Sequence, residues 1–222
     1  MAPQRLDVAV LGPGAIGGLL GALLARGGNS VLVLASESTS RAVAERGLKV
    51  ESRRFGDFQV PVRTAVRLET RVDACLVTVK ATQLREALGR VPRDALGQGL
   101  VIPFLNGIDH VELLRSIYPP SSVAAATIRV EAARVEQGLI RQTSPFASVE
   151  IAALADRRDR VELIAAQLKA AGLDVRVRED ESAMLWEKLA ILAPLALLTT
   201  HERTNAGGIR TRRREDLLAV VR

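Results

Sequence analysis

Short continuous apolar runs alternate with segments of helical length along most of the chain. Residues 7–11, Asp-Val-Ala-Val-Leu, form an apolar run stopped by Gly12, the pattern of a strand buried on both faces of a parallel sheet. A helix is predicted over residues 15–26, closed by Gly27 and Gly28. A strand over 31–34 and a helix over 38–46, stopped by Gly47, extend the pattern to β-α-β-α. Residues 48–50 and 58–62 flank the turn-prone Gly56-Asp57 and predict a small antiparallel excursion. Apolar runs at 74–79 and 100–105, with a helical pattern over 83–90 between them, restore the alternation. Strands over 123–130, 139–141 and 149–152 follow with no room for helices between them, so they are expected to pair antiparallel at one side of the sheet. A helix over 160–171, ended by Gly172, and a strand over 174–177 complete this part.

From Glu181 onward the pattern is entirely helical. The expected architecture is α/β: a Rossmann-like doubly wound sheet with antiparallel additions, then a short all-helical part. The charged stretch 176–181 suggests a boundary, with one domain over 1–179 and a partial helical domain over 180–222. Residues 185–198 are apolar nearly all round, and such a helix asks for burial from several sides. With little chain after it, the expectation is either a fragment of a longer polypeptide or a homodimer if the chain is complete.

Composition narrows the chemistry. Of 222 residues 48% are hydrophobic and 25% charged, as in ordinary globular proteins, which excludes a disordered chain. Cys75 is the single cysteine, so zinc and iron–sulfur clusters drop out. The net charge of +6 raises nucleic-acid binding, but the excess is spread out. Its one dense run, Arg210, Arg212, Arg213 and Arg214, is followed at once by Glu215 and Asp216 and reads as a solvated helix start. Aromatic residues, at 3%, are too few for base stacking, so no nucleic-acid partner is expected. Glycines interrupt the apolar stretch 8–25 and an aspartate precedes it, unlike a signal peptide. The run 185–198 is shorter than the roughly 20 residues that span a bilayer. A cytoplasmic protein without a membrane partner is therefore expected. Lysine is scarce: Lys49, Lys80, Lys169 and Lys188 stand among 31 basic residues. Arginine does not release its proton and lysine does, so each retained lysine is a candidate for proton chemistry.

Gly12-Pro13-Gly14-Ala15-Ile16-Gly17 matches G-x-G-x-x-G directly after a predicted strand and directly opening a helix. Gly12 allows the tight turn, Gly14 lets a diphosphate approach the backbone, and Gly17 lets the helix sit close on the sheet. At the end of the second strand stands Ser36, where an acidic side chain holding a ribose hydroxyl is expected in NAD-binding proteins. With Arg41 one helical turn beyond, NADP (NADPH) is the expected cofactor; Glu37 would favour NAD if it faced the ribose instead.

Lys80 and Gln83 follow the strand 74–79, Asn106-Gly107 follows the strand 100–105, and Trp186-Glu187-Lys188 opens the helical part. In this order and spacing, together with the glycine turn, these segments resemble the ketopantoate reductase (2-dehydropantoate 2-reductase) family over nearly the whole chain. The resemblance implies NADPH on the glycine turn and Lys80, Gln83, Asn106 and Ala133 among the cofactor contacts. It also implies Asn106 at the reacting carbonyl, Lys188 as proton donor, and a small 2-oxo acid as substrate. Three departures stand out. Leu192 and Ala196 occupy positions where the family has asparagines, Ser36 replaces its arginine, and the family's helical domain continues beyond residue 222. A later family asparagine has its counterpart in Asn205, with a one-residue slip. These departures keep open an alternative, an NADP-binding protein without turnover. Trp186 reads as a core anchor, and His110 and His201 as surface or helix-end residues.

Overall fold

A computed structural model describes residues 4–221. In chain order the elements are β1 (Asp7–Leu11), α1 (Ala15–Arg26), β2 (Ser30–Leu34), α2 (Glu37–Arg46), β3 (Leu48–Ser52), β4 (Phe58–Val60), β5 (Arg63–Ala65), β6 (Ala74–Val77), α3 (Leu84–Leu88), α4 (Arg93–Leu96), β7 (Leu100–Pro103) and α5 (Asp109–Ile117). Then come β8 (Ala126–Glu136), β9 (Leu139–Ala152), α6 (Arg158–Ala170), β10 (Asp174–Arg178), α7 (Glu181–His201), α8 (Ala206–Arg212) and α9 (Arg214–Val221).

The first sheet runs β5-β2-β1-β6-β7 and is parallel throughout. Its strands are apolar at every position because alternate residues feed two cores. Val8, Val10, Leu76 and Ile102 face α1, whereas Ala9, Leu11, Cys75 and Val101 face the side covered by α3 and α5. The order reverses between β1 and β6, which is where open sheets of this kind take ligands.

The strands expected at one side of that sheet instead build a second sheet. Its order is β10-β9-β3-β4, with β8 pairing antiparallel to β9. Segments 139–141 and 149–152 belong to one 14-residue strand. Val123 still bridges to Val101 of β7 before β8 crosses between the sheets. Helix α1 lies between the two sheets, which explains a sequence apolar on all sides: residues 17–24 are buried without interruption. Gly17 faces the first sheet and Gly18 the second, where a Cβ would meet Ile140 Cδ1 at 2.5 Å. Each buried leucine of α1 contributes roughly 1.5–3 kcal/mol.

Three short elements were not expected, the edge strand β5 and helices α4 and α5. The α5 signal was present in Val111, Leu114 and Tyr118, whose spacing puts them on one face. Leu114 and Tyr118 are buried in the second core, and the Tyr118 hydroxyl donates to the Val91 carbonyl at 2.7 Å.

Helix α7 corrects two expectations. The apolar run 185–198, read as too short to span a bilayer, lies within a helix of 21 residues that starts at Glu181 as expected and ends at His201; by length and composition alone it could cross a membrane. Its burial is confined mainly to its start, at Met184 and Leu185, while Ile191 and Leu197 are 63% and 65% exposed. Trp186 is not a core anchor: it is 56% exposed, since Met184 and Leu185 take the inward phase of the helix. Helices α8 and α9 pack against α7. In the basic run, Arg213 pairs with Glu202 and Asp216; the side chains of Arg210, Arg212 and Arg214 lie outside the described residues.

Candidate functional site

The carboxyl ends of β1, β2 and β6 open into a cleft of about 590 Å³. Gly12, Pro13, Gly14 and Ala15 form one wall. The glycine turn is built by three backbone hydrogen bonds: Gly12 N–H donates to the Leu34 carbonyl, Gly14 N–H to that of Gly12, and Gly18 N–H to that of Gly14. Gly12 adopts φ +90°, which favours glycine, and a Cβ there would lie 2.5 Å from Val79 Cγ1. At Gly14 a Cβ would meet nothing within 4 Å, so the space above the turn is open. No side chain caps α1, and its first turn carries no acidic residue. The N–H groups opening α1 thus face that space with the positive end of the helix dipole, an anion cradle of the size and chemistry a diphosphate needs.

Ile16 and Gly17 do not line the cleft. Ile16 packs against the core, and Gly17 lies so close to Thr78 Oγ1 and the Gly12 carbonyl that a Cβ has no room. Thr78, which sequence reasoning missed, bonds through its hydroxyl to the Leu11 and Gly12 carbonyls at 2.9 and 2.7 Å and fastens the end of β6 to the turn. Lys80, Gln83 and Ala133 all line the cleft, Ala133 reaching it from the second sheet.

At the far end Ser36 and Thr39 present hydroxyls that bond to one another at 3.2 Å. Arg41 and Glu37 are exposed and do not line the cleft; the arginines that do are Arg90 and Arg134. Arg90 is held by the Ala35 and Val66 carbonyls at 3.3 and 3.0 Å, while Arg134 arrives on β8. Both are remote in sequence from the strand they border, so no local spacing announces them.

Asn106 and Lys188 lie outside this cleft. Asn106 is exposed in the loop after β7, next to β6 in the sheet, and so at the same carboxyl edge as Lys80. Lys188 is brought over by α7, whose start is pinned twice. Arg115 of α5 makes a two-pronged pair with Glu181 at 2.8 and 2.6 Å, and Arg178 of β10 does the same with Glu187 at 3.0 and 2.9 Å. Arg178 also donates to the buried Glu150 at 2.8 Å. Glu187 is thereby committed to Arg178, and its carboxyl is held below the usual range by that contact. Lys188 Nζ is left buried without a hydrogen-bond partner. Burial first, and then the positive charge of Arg129, pull its pKa from 10.5 down to about 8.

His110 is a further departure from expectation. It sits at the start of α5, yet it is only 6% exposed, and the residue after it, Val111, packs with Met184 and Leu185 of α7. Its Nε2 is also buried and unpartnered. Burial and Lys188 hold its pKa below the ordinary value, against the opposing pull of Asp109. His201, at the end of α7, is exposed as expected. Among the described residues no cluster of three or more His, Cys, Asp or Glu side chains has the arrangement of a metal site.

A nicotinamide dinucleotide fits these residues: an open anion cradle, and a cleft lined by the hydroxyls of Ser36 and Thr39, the cationic Lys80, Arg90 and Arg134, and one acidic side chain, Glu86. Comparison with known proteins bears on this directly. Residues 8–156 match the family model described as Ketopantoate reductase PanE/ApbA. A 2-dehydropantoate 2-reductase of Mycobacterium tuberculosis is 30% identical over 220 residues, covering 97% of this chain and 69% of that protein. A relative with the same description from Halobacterium salinarum is 29% identical, and there the chain spans 62% of its length. Among solved structures, a 2-dehydropantoate 2-reductase from Porphyromonas gingivalis superposes with a TM-score of 0.84 at 25% identity, covering 98% of this chain and 79% of the other. D-mandelate dehydrogenase, solved with NADH and anilino(oxo)acetate, shares the fold with a TM-score of 0.78 at 22% identity, over 87% of this chain and 64% of that one.

Proposed function

Because the chain belongs to the ketopantoate reductase PanE/ApbA family, we propose that it reduces a small 2-oxo acid to the 2-hydroxy acid at the expense of a nicotinamide dinucleotide, NADPH by preference. The observation that carries this reading is the lone buried ammonium of Lys188, unpartnered and with its pKa near 8.

The reduced nicotinamide supplies the hydride when bound. The N–H groups opening α1 hold the diphosphate, and the side chains of Lys80 and Gln83, which have no hydrogen-bond partner among the described residues, are available to orient the cofactor. Asn106 orients the substrate carbonyl. Lys188 donates its proton to the oxygen of that carbonyl as negative charge develops there, which needs an amine that is still protonated at neutral pH but releases its proton readily. The preference for NADPH rests on Ser36 and Thr39 in place of an acidic side chain and on Arg90 and Arg134 along the cleft. The exposed apolar side of α7, with Ile191 and Leu197, is the face on which a second copy of the chain would seat.

Leu192 and Ala196 lie one and two turns beyond Lys188 and offer no hydrogen bonds to a substrate hydroxyl. A branched 2-oxo acid lacking a terminal hydroxyl is therefore expected to be reduced at least as well as ketopantoate. Following absorbance at 340 nm with NADPH and both acids tests this; a clear preference for ketopantoate contradicts it. The same two residues favour a second reading, a dinucleotide-binding protein without turnover. Tight NADPH binding with no oxidation across a panel of 2-oxo acids selects it.

The pH dependence has a definite sign. Only protonated Lys188 donates, so kcat/KM for reduction is expected to be flat below neutral pH and to fall tenfold per unit above about pH 8. A profile level to pH 10 contradicts the assignment of the donor.

A further inference from the structure

Two buried nitrogens, His110 Nε2 and Lys188 Nζ, have no hydrogen-bond partner, and only one of them has a role so far. Helix α7 presents Glu181, Met184, Leu185 and Lys188 at spacings of three and four, which places them on one side. Glu181 is held by Arg115 of α5, and Met184 and Leu185 pack against Val111 of α5. His110 precedes Val111, and Lys188 follows Leu185 by three residues, so both belong to the segments that this contact brings together, and the charge of Lys188 acts on the His110 ring. Neither nitrogen bonds to the other, and neither has a protein acceptor.

A buried polar atom left unpaired costs about 1–3 kcal/mol, and such atoms in folded proteins point to a missing ligand or a catalytic task. For His110 the burden is compounded by its surroundings: the residue is 6% exposed, and the positive charge of Lys188 acts on it, as that of Arg129 acts on Lys188. Asp109 is the acidic group that bears on it. This is a site short of an acceptor oxygen, and a 2-oxo acid head group brings three.

Resting on the reductase reading above, we propose that His110 is a further catalytic residue, a neutral imidazole whose Nε2–H donates to the 2-oxo acid head group beside Lys188 and polarises the oxygen that Lys188 protonates. It exchanges no proton itself. Its donor also replaces, from α5, part of the hydrogen bonding that Leu192 and Ala196 cannot offer from α7. From sequence it reads as a surface or helix-end residue, because a lone histidine carries no spacing signal.

The chain has two histidines, and His201 is exposed at the end of α7, so the ring nitrogens are separable by 15N NMR. With NADPH bound, His110 Nε2 is expected to show the shift of a protonated ring nitrogen. Adding oxamate, a non-reducible mimic of a 2-oxo acid, should move that signal and leave His201 in place. Replacement H110F, which keeps the ring volume and removes the donor, is expected to lower kcat by roughly 10²–10³-fold, with NADPH affinity unchanged. H110Q, which returns an N–H near the same point, should recover part of the loss.

An unprotonated Nε2, or oxamate binding without a shift at His110, overturns the proposal. Normal kcat in H110F overturns it while leaving the reductase reading intact. Failure of the wild-type chain to reduce any 2-oxo acid counts against the reductase reading instead, and the oxamate shift then still decides whether His110 contacts the head group. If H110F does not fold, H110Q and the wild-type spectra carry the test.

Discussion

Replacing Lys188 by methionine, which keeps the aliphatic stem, is expected to lower kcat for 2-oxo acid reduction by roughly 10²–10⁴-fold, the range for loss of a general acid. At 1.36 kcal/mol per factor of ten this is about 2.7–5.4 kcal/mol of barrier. Folding should not suffer. The folded-state pKa of Lys188, about 8, lies below its ordinary 10.5, so the unfolded chain holds the proton more tightly. At pH 7 the charged amine is therefore a cost to the folded state, relieved in the wild-type protein only as pH rises from about 8 to 10.5. The methionine variant is expected to melt at the same temperature or higher. NADPH affinity should be unchanged, because Lys188 does not line the dinucleotide cleft. A variant that retains wild-type turnover removes Lys188 from the mechanism.

The second large effect separates two glycines of one motif. Gly14 has φ −74°, a value any residue adopts, and its Cβ position is empty of protein atoms. Gly14→Val should leave thermal stability within about 0.5 kcal/mol of wild type while weakening NADPH binding by on the order of 100-fold, about 2.7 kcal/mol, because the side chain fills the anion cradle. Gly17→Val is expected to do the reverse. Its side chain drives into Thr78 Oγ1 and the Gly12 carbonyl, and overpacking there costs about 1–3 kcal/mol or more. Melting curves and fluorescence titration with NADPH, run on both variants, read the two effects apart. Equal NADPH affinity in Gly14→Val and wild type would remove the cradle from the account.

The contrast between these glycines also marks what local sequence reveals. β1, the glycine turn and α1 were legible to the residue, since strand, turn and helix cap each other within twenty positions and one hydrogen-bond set closes the unit. Lys80, Gln83 and Ser36 followed from the same logic, because each stands where a parallel strand ends. The second sheet was not legible. β3 pairs with β9 across about ninety residues, and no periodicity distinguishes a strand that joins one sheet from a strand that joins another.

Burial at the start of α7 was reversed for a related reason. Trp186 is the largest side chain there and so looks like the anchor, but the contact with α5 chooses the phase that buries Met184 and Leu185. The spacing of Glu181, Met184, Leu185 and Lys188 contained that phase. It became readable only once α5 was known to exist, because the helix that receives that face is remote in sequence from α7. The burial of His110 was lost with it. Arg90 and Arg134 border the cleft through tertiary contacts alone, and no local spacing marks them.

The central claim is that a dinucleotide on the glycine turn and an amine from α7 meet at one substrate. A crystal structure of the chain with NADPH and oxamate tests it most directly. The expected result is the diphosphate on the N–H groups of α1 and Lys188 Nζ within about 3.2 Å of an oxygen of oxamate. A dinucleotide in that cleft with Lys188 making no contact to oxamate would contradict the claim.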